Sequence, residues 1–218
     1  MPLILDIVKP HFQLKAWHIT EDVSFFEEKV SLYESEKEIL NKIQRDTRKL
    51  QWLSARYILK ELTNNEEVIK NKHGKPFLKS KNGYISISHC QNFAVAIYSK
   101  ELNVGIDIEP QREKVIRIAD KFLSENELSC IEKEQEVKHL ITSWAMKEAA
   151  FKWYGREYIS FKHSIQIAPY KYNDKLSRIR VNVVSPKKTY KLRAFHINLQ
   201  EHSMVFCFGK KDLENLFL

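Results

Sequence analysis

The stretch Val104–Pro110, VGIDIEP, alternates apolar and acidic residues with the period of a β-strand. Strand geometry places Ile106 and Ile108 on one face and Asp107 and Glu109 on the other. The two carboxylates would lie about 6–7 Å apart at Cα and would repel each other unless a cation lay between them. Such a pair suits Mg²⁺ with water and substrate phosphates, although a solvent-facing acidic strand would show the same alternation.

A second segment, Trp144–Tyr154, predicts a helix because its apolar residues recur at the spacing of a buried helix face. Glu148 lies on the opposite side, but Trp144 and Phe151 flank it, so we expect the helix to be covered on both faces. Lys152 follows Glu148 by one turn. The two residues could form an ordinary i, i+4 ion pair, or a site carboxylate beside a site ammonium.

The rest of the chain predicts an α+β protein. One helical pattern runs from about Ser35 to Leu62, and a second, from about Lys114 to Gly155, is interrupted near Ser124 and Gln135. The strand patterns cover residues 3–8, 13–19, 84–88, 93–98, 104–108, 159–167, 178–184, 190–197 and 204–208. Because few residues separate segments 93–98 and 104–108, we expect an antiparallel hairpin there.

This order of elements indicates two similar α+β halves, each a small, mostly antiparallel sheet packed with a long helix. We assign residues 1–105 to the N-terminal half and residues 106–218 to the C-terminal half. No sequence repeat and no Pro- or Ser-rich linker marks the boundary between them.

The formal net charge is +8, from 36 Lys and Arg against 28 Asp and Glu, which predicts an acidic or phosphate-bearing partner. Nucleic acid, an anionic membrane surface, a nucleotide-like substrate and an acidic protein all satisfy this charge. Part of it follows one face of the first long helix, which is either a solvated cationic face or an anion-binding one. That face carries Arg45, Arg48, Lys49, Trp52 and Arg56.

The remaining composition is that of an ordinary globular protein. No apolar run approaches the length needed to cross a bilayer, and the N-terminal residues lack the pattern of a secretory signal. We therefore expect a cytoplasmic protein without membrane contact. The three cysteines are widely spaced and odd in number, so we expect reduced thiols rather than a disulfide framework or a zinc site.

Two segments match known family signatures. Residues 105–109 match G-[IV]-D-[IV]-E, and residues 144–152 match W-x-x-K-E-[AS]-x-x-K, which are the two signatures of the phosphopantetheinyl transferases. Residues 74–78 resemble that family's G-[KR]-P segment, and residues 48–56 resemble its R-x-x-x-L-x-x-x-R stretch. The chain thus resembles the Sfp-type 4′-phosphopantetheinyl transferases.

A further segment matches with two departures. Residues 86–90 resemble the family's N-x-S-H-S segment, but Ser86 replaces its Asn and Cys90 replaces its second Ser. These departures affect the expected local hydrogen bonding more than the expected substrate class.

The resemblance implies a fold and an activity. The two halves would form a pseudo-twofold pseudodimer, active as a monomer, with the active site between them. The enzyme would transfer the 4′-phosphopantetheine arm of coenzyme A to a serine of an acidic apo carrier protein, with Mg²⁺ as cofactor, and release 3′,5′-ADP. Its partners would thus be coenzyme A and the carrier, and neither nucleic acid nor a membrane.

The resemblance also assigns roles. Asp107, Glu109 and Glu148 would hold Mg²⁺ against the diphosphate. Glu148 would also accept the serine proton, with Glu127 as the second candidate, and Lys152 would stabilise the leaving phosphate.

Four residues of the N-terminal half would bind coenzyme A. They are Lys75, Ser88, His89 and Arg48. Each also has a simpler explanation on its own, such as a solvated turn lysine for Lys75 and a strand-end residue for His89.

Other functions stay open at this point. A basic nucleic-acid-binding module would explain the net charge but not the strand carboxylates. A Mg²⁺-dependent phosphohydrolase or nuclease would use the same carboxylates and lysine. A non-catalytic relative is less consistent with the presence of all the acidic motif residues.

Overall fold

The chain divides at the start of the strand that carries Asp107 into two units, Met1–Val104 and Gly105–Leu218. The structure, a computed structural model, describes residues 2–156 and 158–209. Within these ranges each unit contains a β-sheet and one long helix that packs on it. The predicted α+β class, with a long helix packed on the larger sheet of each unit, is confirmed.

The first unit contains a four-stranded antiparallel sheet and a two-stranded one. Its strands are β1 (Leu3–Lys9), β2 (Phe12–His18), β3 (Val68–Lys70), β4 (Pro76–Leu78), β5 (Tyr84–Cys90) and β6 (Phe93–Ser99). Its helices are α1 (Val23–Lys29), α2 (Glu34–Asn41) and α3 (Asp46–Leu62). The larger sheet has the order β1-β2-β6-β5, and β3 pairs with β4.

The core of this unit lies between α3 and the four-stranded sheet. Ala55, Ile58 and Leu59 recur at helical spacing on α3 and have almost no exposed surface. They form one cluster with Trp17 of β2 and Ala96 of β6. The apolar face of this helix is therefore the face that the sheet covers.

The prediction of one continuous helix from Ser35 to Leu62 is wrong, because the chain breaks it after Asn41. Arg45 has an extended backbone, with φ −89° and ψ 124°, and α3 begins at the next residue. Because of this break, side chains of α2 can pack against side chains of α3, which would be impossible within one straight helix. Sequence periodicity alone also missed α1, β3 and β4.

The break brings a carboxylate of α2 against two cations of α3. Glu36 lies 3.3 Å from Arg56 Nε and 2.7 Å from Lys60 Nζ, and all three side chains are buried. The guanidinium of Arg56 also stacks on Trp52, 4.8 Å from the ring centroid. Arg56 is therefore a core residue, and the basic face predicted for this helix, whether solvated or anion-binding, does not extend to it.

The second unit is a five-stranded sheet with the order β7-β11-β10-β9-β8. The strands are β7 (Val104–Pro110), β8 (Ile165–Ile167), β9 (Ser177–Val184), β10 (Thr189–Leu199) and β11 (His202–Gly209). The helices are α4 (Ala119–Phe122), α5 (Glu125–Leu128), α6 (Glu136–Tyr154) and α7 (Phe161–Ser164). Two 3-10 helices precede α4 and α6, at Glu113–Ile118 and Lys133–Gln135.

The long helix α6 packs on this sheet, and most of its residues are buried. Ala145, Met146 and Ala149 have no exposed surface, which confirms the prediction that this helix is covered nearly all round. The predicted interruptions are also confirmed, because Ser124 caps the start of α5 and Gln135 precedes α6.

Two sequence predictions for this region are wrong. Segments 93–98 and 104–108 do not form a hairpin, because β6 and β7 belong to different sheets and β7 pairs with β11. The strand predicted over residues 159–167 is limited to β8, since the Ser160 hydroxyl accepts the His163 N–H and caps the short helix α7. Among the described residues, no helix is both long and apolar enough to span a bilayer.

We expect Gly105→Ala to lower the free energy of unfolding by about 2–3 kcal/mol, the cost of overpacking a rigid contact. A Cβ at this position would collide with the Ala149 carbonyl oxygen and lie 2.8 Å from Trp153 N. Urea unfolding followed by tryptophan fluorescence measures the loss, since Trp144 and Trp153 both lie in α6. Gly74→Ala is the control, because its site has free space and only a positive φ of 85°, which costs about 1 kcal/mol. Equal losses in the two variants would contradict the close contact.

We also expect the protein to lose stability below pH 6.5 because of His196. Burial lowers the pKa of His196 to about 4, against a hydrogen bond to the Asn173 backbone and the charge of Asp174. The unfolded chain therefore binds a proton before the folded chain does, and stability falls as the pH drops from 6.5 toward 4, by up to about 1.4 kcal/mol per pH unit. Urea unfolding at pH 7, 6 and 5 should show a shallower pH dependence in His196→Gln. The exposed His163→Gln serves as the control and should leave the slope unchanged.

Candidate active site

The candidate site is formed where β7 and α6 approach each other in the second unit. Gly105 lies against the α6 backbone, and the space a side chain would need is filled by Ala149 and Trp153. This close approach brings the strand carboxylates next to the helix face that carries Glu148 and Lys152. Gly105 of the first signature and helix α6 of the second signature are therefore in direct packing contact.

Direct contacts connect the strand to the helix. Lys152 Nζ donates to Asp107 Oδ1 at 2.6 Å, and Asp107 is only 3% exposed. Trp144 Nε1 donates to Glu109 Oε1 at 3.0 Å. Because Trp144 and Lys152 flank Glu148 on one face of α6, the three acidic residues lie in one partly buried patch.

Electrostatics show that the carboxylates are crowded. Burial raises the pKa of Glu148 to about 7, and the charges of Asp107 and Glu109 add to the rise. Burial also raises the pKa of Glu109 to about 7, with Asp107 as the second cause and the Trp144 hydrogen bond and the Lys152 charge opposing it. A patch of acids that resist ionisation together attracts a cation.

The chemistry of this donor set fits Mg²⁺, which prefers carboxylate oxygen and keeps several waters. Asp107 forms an ion pair with the ammonium group of Lys152. Among residues 2–156 and 158–209, no three His, Cys, Asp or Glu side chains are arranged to hold a metal ion. The residues therefore supply suitable ligands without forming a complete coordination shell.

Glu127, the second candidate for the base, has different neighbours. Its Oε2 accepts from Lys147 Nζ at 2.9 Å and from the Ser124 backbone N–H at 2.8 Å, and its Oε1 accepts the Ile167 N–H at 2.8 Å. Lys147 has no exposed surface and also donates to the carbonyls of Phe161 and Ile165. Glu127 thus ties α5, α6 and β8 together.

In the first unit, two of the four predicted coenzyme A ligands lie together. Arg48 Nη1 is 3.0 Å from His89 Nε2, so the exposed end of α3 meets the end of β5. Ser88 is buried in the same strand. Lys75 donates from Nζ to Asn103 Oδ1 at 2.8 Å. The role of all four residues stays a prediction.

Comparison with known proteins found a family match that covers most of the second unit. Residues 103–207 match a family model described as the 4′-phosphopantetheinyl transferase superfamily. The resemblance that the motifs predict is therefore confirmed over this segment, which contains both β7 and α6.

Two curated relatives are also similar to part of this chain. The chain is similar to 4′-phosphopantetheinyl transferase gsp of Aneurinibacillus migulanus, with 34% identity over 136 residues, or 56% of each chain. It is also similar to 4′-phosphopantetheinyl transferase ffp of Bacillus subtilis, with 28% identity over 89 residues, or 39% of each chain. The matched part of this chain thus spans about half the length of these relatives or less.

Sequence reasoning missed three residues of these environments. The sequence predicts Trp144 only as an apolar neighbour of Glu148, but its indole N–H donates to Glu109. Lys147 precedes Glu148 in the signature and is buried rather than solvated. Asn103, the partner of Lys75, carries no sequence signal. Trp144 and Lys147 occupy the fixed Trp and Lys positions of the helix signature, and this match is the sequence feature that could have identified them.

We expect Lys147→Met to destabilise the protein by about 3–5 kcal/mol, because it leaves the Glu127 carboxylate buried without its ammonium partner. Lys133→Met is the matched control, since Lys133 pairs with Glu136 at the surface, where such a pair is worth less than about 1 kcal/mol. Urea unfolding of both variants measures the difference. Similar small losses in the two variants would show that the buried Glu127–Lys147 pair contributes no more to the free energy of unfolding than the surface pair does.

Proposed function

We propose that this chain is a 4′-phosphopantetheinyl transferase that moves the phosphopantetheine arm of coenzyme A to a serine of an acidic apo carrier protein and releases 3′,5′-ADP. The observation that carries the proposal is the gathering of Asp107, Glu109 and Glu148 with Lys152 on the contact between β7 and α6. This contact lies in the segment that matches the superfamily.

In this proposal Asp107, Glu109 and Glu148 would hold Mg²⁺, which supplies positive charge for the diphosphate and aligns it for in-line attack. The crowded carboxylates support this role, because they need a cation to remain ionised together. Trp144 holds Glu109 in place through its indole N–H. Gly105 sets the distance between the strand and helix ligands.

Two side chains of α6 act on the serine proton and on the phosphate that leaves. Glu148 accepts the serine proton, because it is a half-buried carboxylate on the helix and burial raises its pKa to about 7, which suits a general base. Lys152 contributes its ammonium to the phosphate that leaves. We assign Glu127 to holding α6 in position through Lys147 rather than to the base role, since its oxygens are already engaged.

Arg48, His89, Ser88 and Lys75 bind the phosphates of coenzyme A in this proposal. The pair of Arg48 and His89 supports it, because a guanidinium and an imidazole at 3.0 Å offer adjacent donors to an anion. The net charge of +8 favours an acidic carrier protein by electrostatic steering. The monomeric state and the cytoplasmic location stay predictions.

The test of the proposal is mass spectrometry of several apo carrier proteins incubated with the chain, coenzyme A and Mg²⁺. We expect one carrier to gain the phosphopantetheine mass, and excess chelator to stop the gain. Release of phosphate or nucleotide without a carrier would indicate a phosphohydrolase instead. Tight, salt-sensitive binding to nucleic acid with no carrier modification would favour the binding module.

Asp107→Asn should lower transfer on the order of a hundredfold or more, because it removes a charge that stabilises the diphosphate and its cation. The matched control is Glu113→Gln, which changes an exposed carboxylate shortly after β7. Rates of carrier modification at saturating coenzyme A measure both variants. An Asp107→Asn enzyme as active as the control would remove Asp107 from the site.

Lys152→Met should lower turnover more than it raises the Michaelis constant for coenzyme A, because the ammonium acts on charge that develops as the phosphate leaves. Lys121→Met, at an exposed lysine of the same unit, is its control. Steady-state kinetics separate the two constants. A change confined to the Michaelis constant would assign Lys152 to binding and refute the leaving-group role.

A further inference from the structure

One hairpin of the second unit carries most of the net positive charge of the protein. Residues 175–193, the basic hairpin, consist of β9 with the two residues before it, the turn after it and the first part of β10. Seven of these 19 residues are Lys or Arg, and none is Asp or Glu. Since the net charge of the whole chain is +8, all other residues together contribute only one net positive charge.

Four of these cations lie on one face of the sheet, and this face is opposite to α6. Arg180 and Arg193 are direct cross-strand partners, so their side chains share a face. Ile179 and Leu192, which alternate with them along the strands, belong to the core that α6 covers. The four cations are Arg178, Arg180, Lys191 and Arg193, of which Arg193 is half-buried and the others are exposed.

The sheet offers these cations no opposite charge. Strands β8 to β11 contain no Asp or Glu, and Asp174, just before the hairpin, pairs with Lys138 of α6. Within the part of the chain that the structure describes, no carboxylate forms an ion pair with any of the seven cations. Like charges directly opposite each other, as in Arg180 and Arg193, destabilise a sheet. A negatively charged partner would offset this repulsion.

The turn of the hairpin lies close to the candidate active site. Lys187 and Lys188 are exposed in this turn, and Lys188 Nζ is 4.5 Å from the centroid of the Tyr190 ring. The Tyr190 ring is 5.5 Å from the ring of Trp153, which follows Lys152 in α6. A globular domain of about 100 residues has a radius of gyration of about 13 Å. A protein of that size with one residue at the carboxylate patch is therefore large enough to contact the hairpin as well.

We propose that the basic hairpin is the surface on which the acidic apo carrier protein docks. This inference rests on the proposed transferase function and adds to it the place where the carrier is held. Complementary charge would raise the rate of encounter and orient the carrier, and salt would weaken both effects.

Two other polyanions fit the surface less well. On the basic face of β9 and β10 the aromatic ring is that of Phe195, which is only 9% exposed, so the bases of a single-stranded nucleic acid have little to stack on. The large apolar side chain that the hairpin exposes is Leu176, so an anionic bilayer would gain little apolar contact. An acidic protein needs neither feature.

The first experiment measures docking without transfer. The probes are the apo carriers of the transfer test, each labelled with a fluorophore and with its acceptor serine replaced by alanine. Fluorescence anisotropy gives the Kd for wild type and for the triple variant Arg178→Gln, Arg180→Gln, Lys191→Gln. We expect the variant to bind the carrier about tenfold more weakly at about 0.02 M salt and only about twofold more weakly at about 0.3 M, because salt shortens the Debye length.

A second triple variant with the same net charge is the matched control. Lys9→Gln, Lys29→Gln, Lys42→Gln removes three exposed cations of the first unit. We expect its Kd to stay within about twofold of the wild-type value. Equal Kd values for the two triple variants would overturn the docking surface. Tighter hairpin-dependent binding of duplex DNA, or of vesicles that contain phosphatidylserine, than of any carrier would assign the hairpin to another polyanion and also overturn it.

Steady-state transfer separates this inference from the proposed function. In the hairpin variant, kcat/KM for the unaltered carrier should fall about tenfold at low salt, while kcat at saturating carrier and the Michaelis constant for coenzyme A stay within about twofold. The unchanged kcat also shows that the variant is folded. Wild-type transfer with an equal kcat/KM in the hairpin variant would refute the docking surface and leave the transferase function. Hairpin-dependent binding of a carrier without any transfer would refute the transferase function and leave the docking surface.

Discussion

The contact between the backbones of β7 and α6 at Gly105 is the constraint on which the candidate site depends. Because glycine has no side chain, the strand can approach the helix until Ala149 and Trp153 fill the space where a Cβ would lie. That approach places Asp107 within 2.6 Å of Lys152 and Glu109 within 3.0 Å of Trp144. A slightly wider spacing would lengthen both hydrogen bonds and separate the acids that the helix and the strand contribute.

The same contact also gathers negative charge that the neighbouring side chains do not fully compensate, which suits the binding of a cation. Three carboxylates in a partly buried patch oppose one another's ionisation, and a single lysine balances only part of their charge. A divalent ion with a bound diphosphate would balance the remaining negative charge of the carboxylates. The second carboxylate–lysine pair, Glu127 and Lys147, is balanced and fully engaged, so it stabilises α6 instead of recruiting a ligand.

Charges of the first unit show the same division between structural and available groups. Glu36 neutralises part of the charge of Arg56 and Lys60 inside the core, which removes those cations from the surface. Arg48, on the same helix as Arg56, remains exposed and meets His89. The net charge of the chain therefore overstates the cationic surface that a partner can contact, and position along α3 decides which arginine is available.

Local patterns predicted the parts of the site but not their partners. Alternation in residues 104–110 and periodicity in residues 144–154 are properties of neighbouring residues, so the sequence alone determined β7, α6 and the faces that carry the carboxylates. The hairpin expected between segments 93–98 and 104–108 failed for the opposite reason. Short separation favours pairing, but the partner of a strand depends on long-range backbone hydrogen bonds, and β7 pairs with β11 about 100 residues later.

What the sequence by itself determined about this protein is its α+β class, its main strands and helices, and the signatures that relate residues 103–207 to the phosphopantetheinyl transferase superfamily. Only the tertiary structure decided that Lys152 contacts Asp107 rather than Glu148, and that Lys147 and Arg56 are buried. The physical reason is that side-chain type and spacing are local, whereas burial and pairing depend on elements that folding brings together from distant parts of the chain.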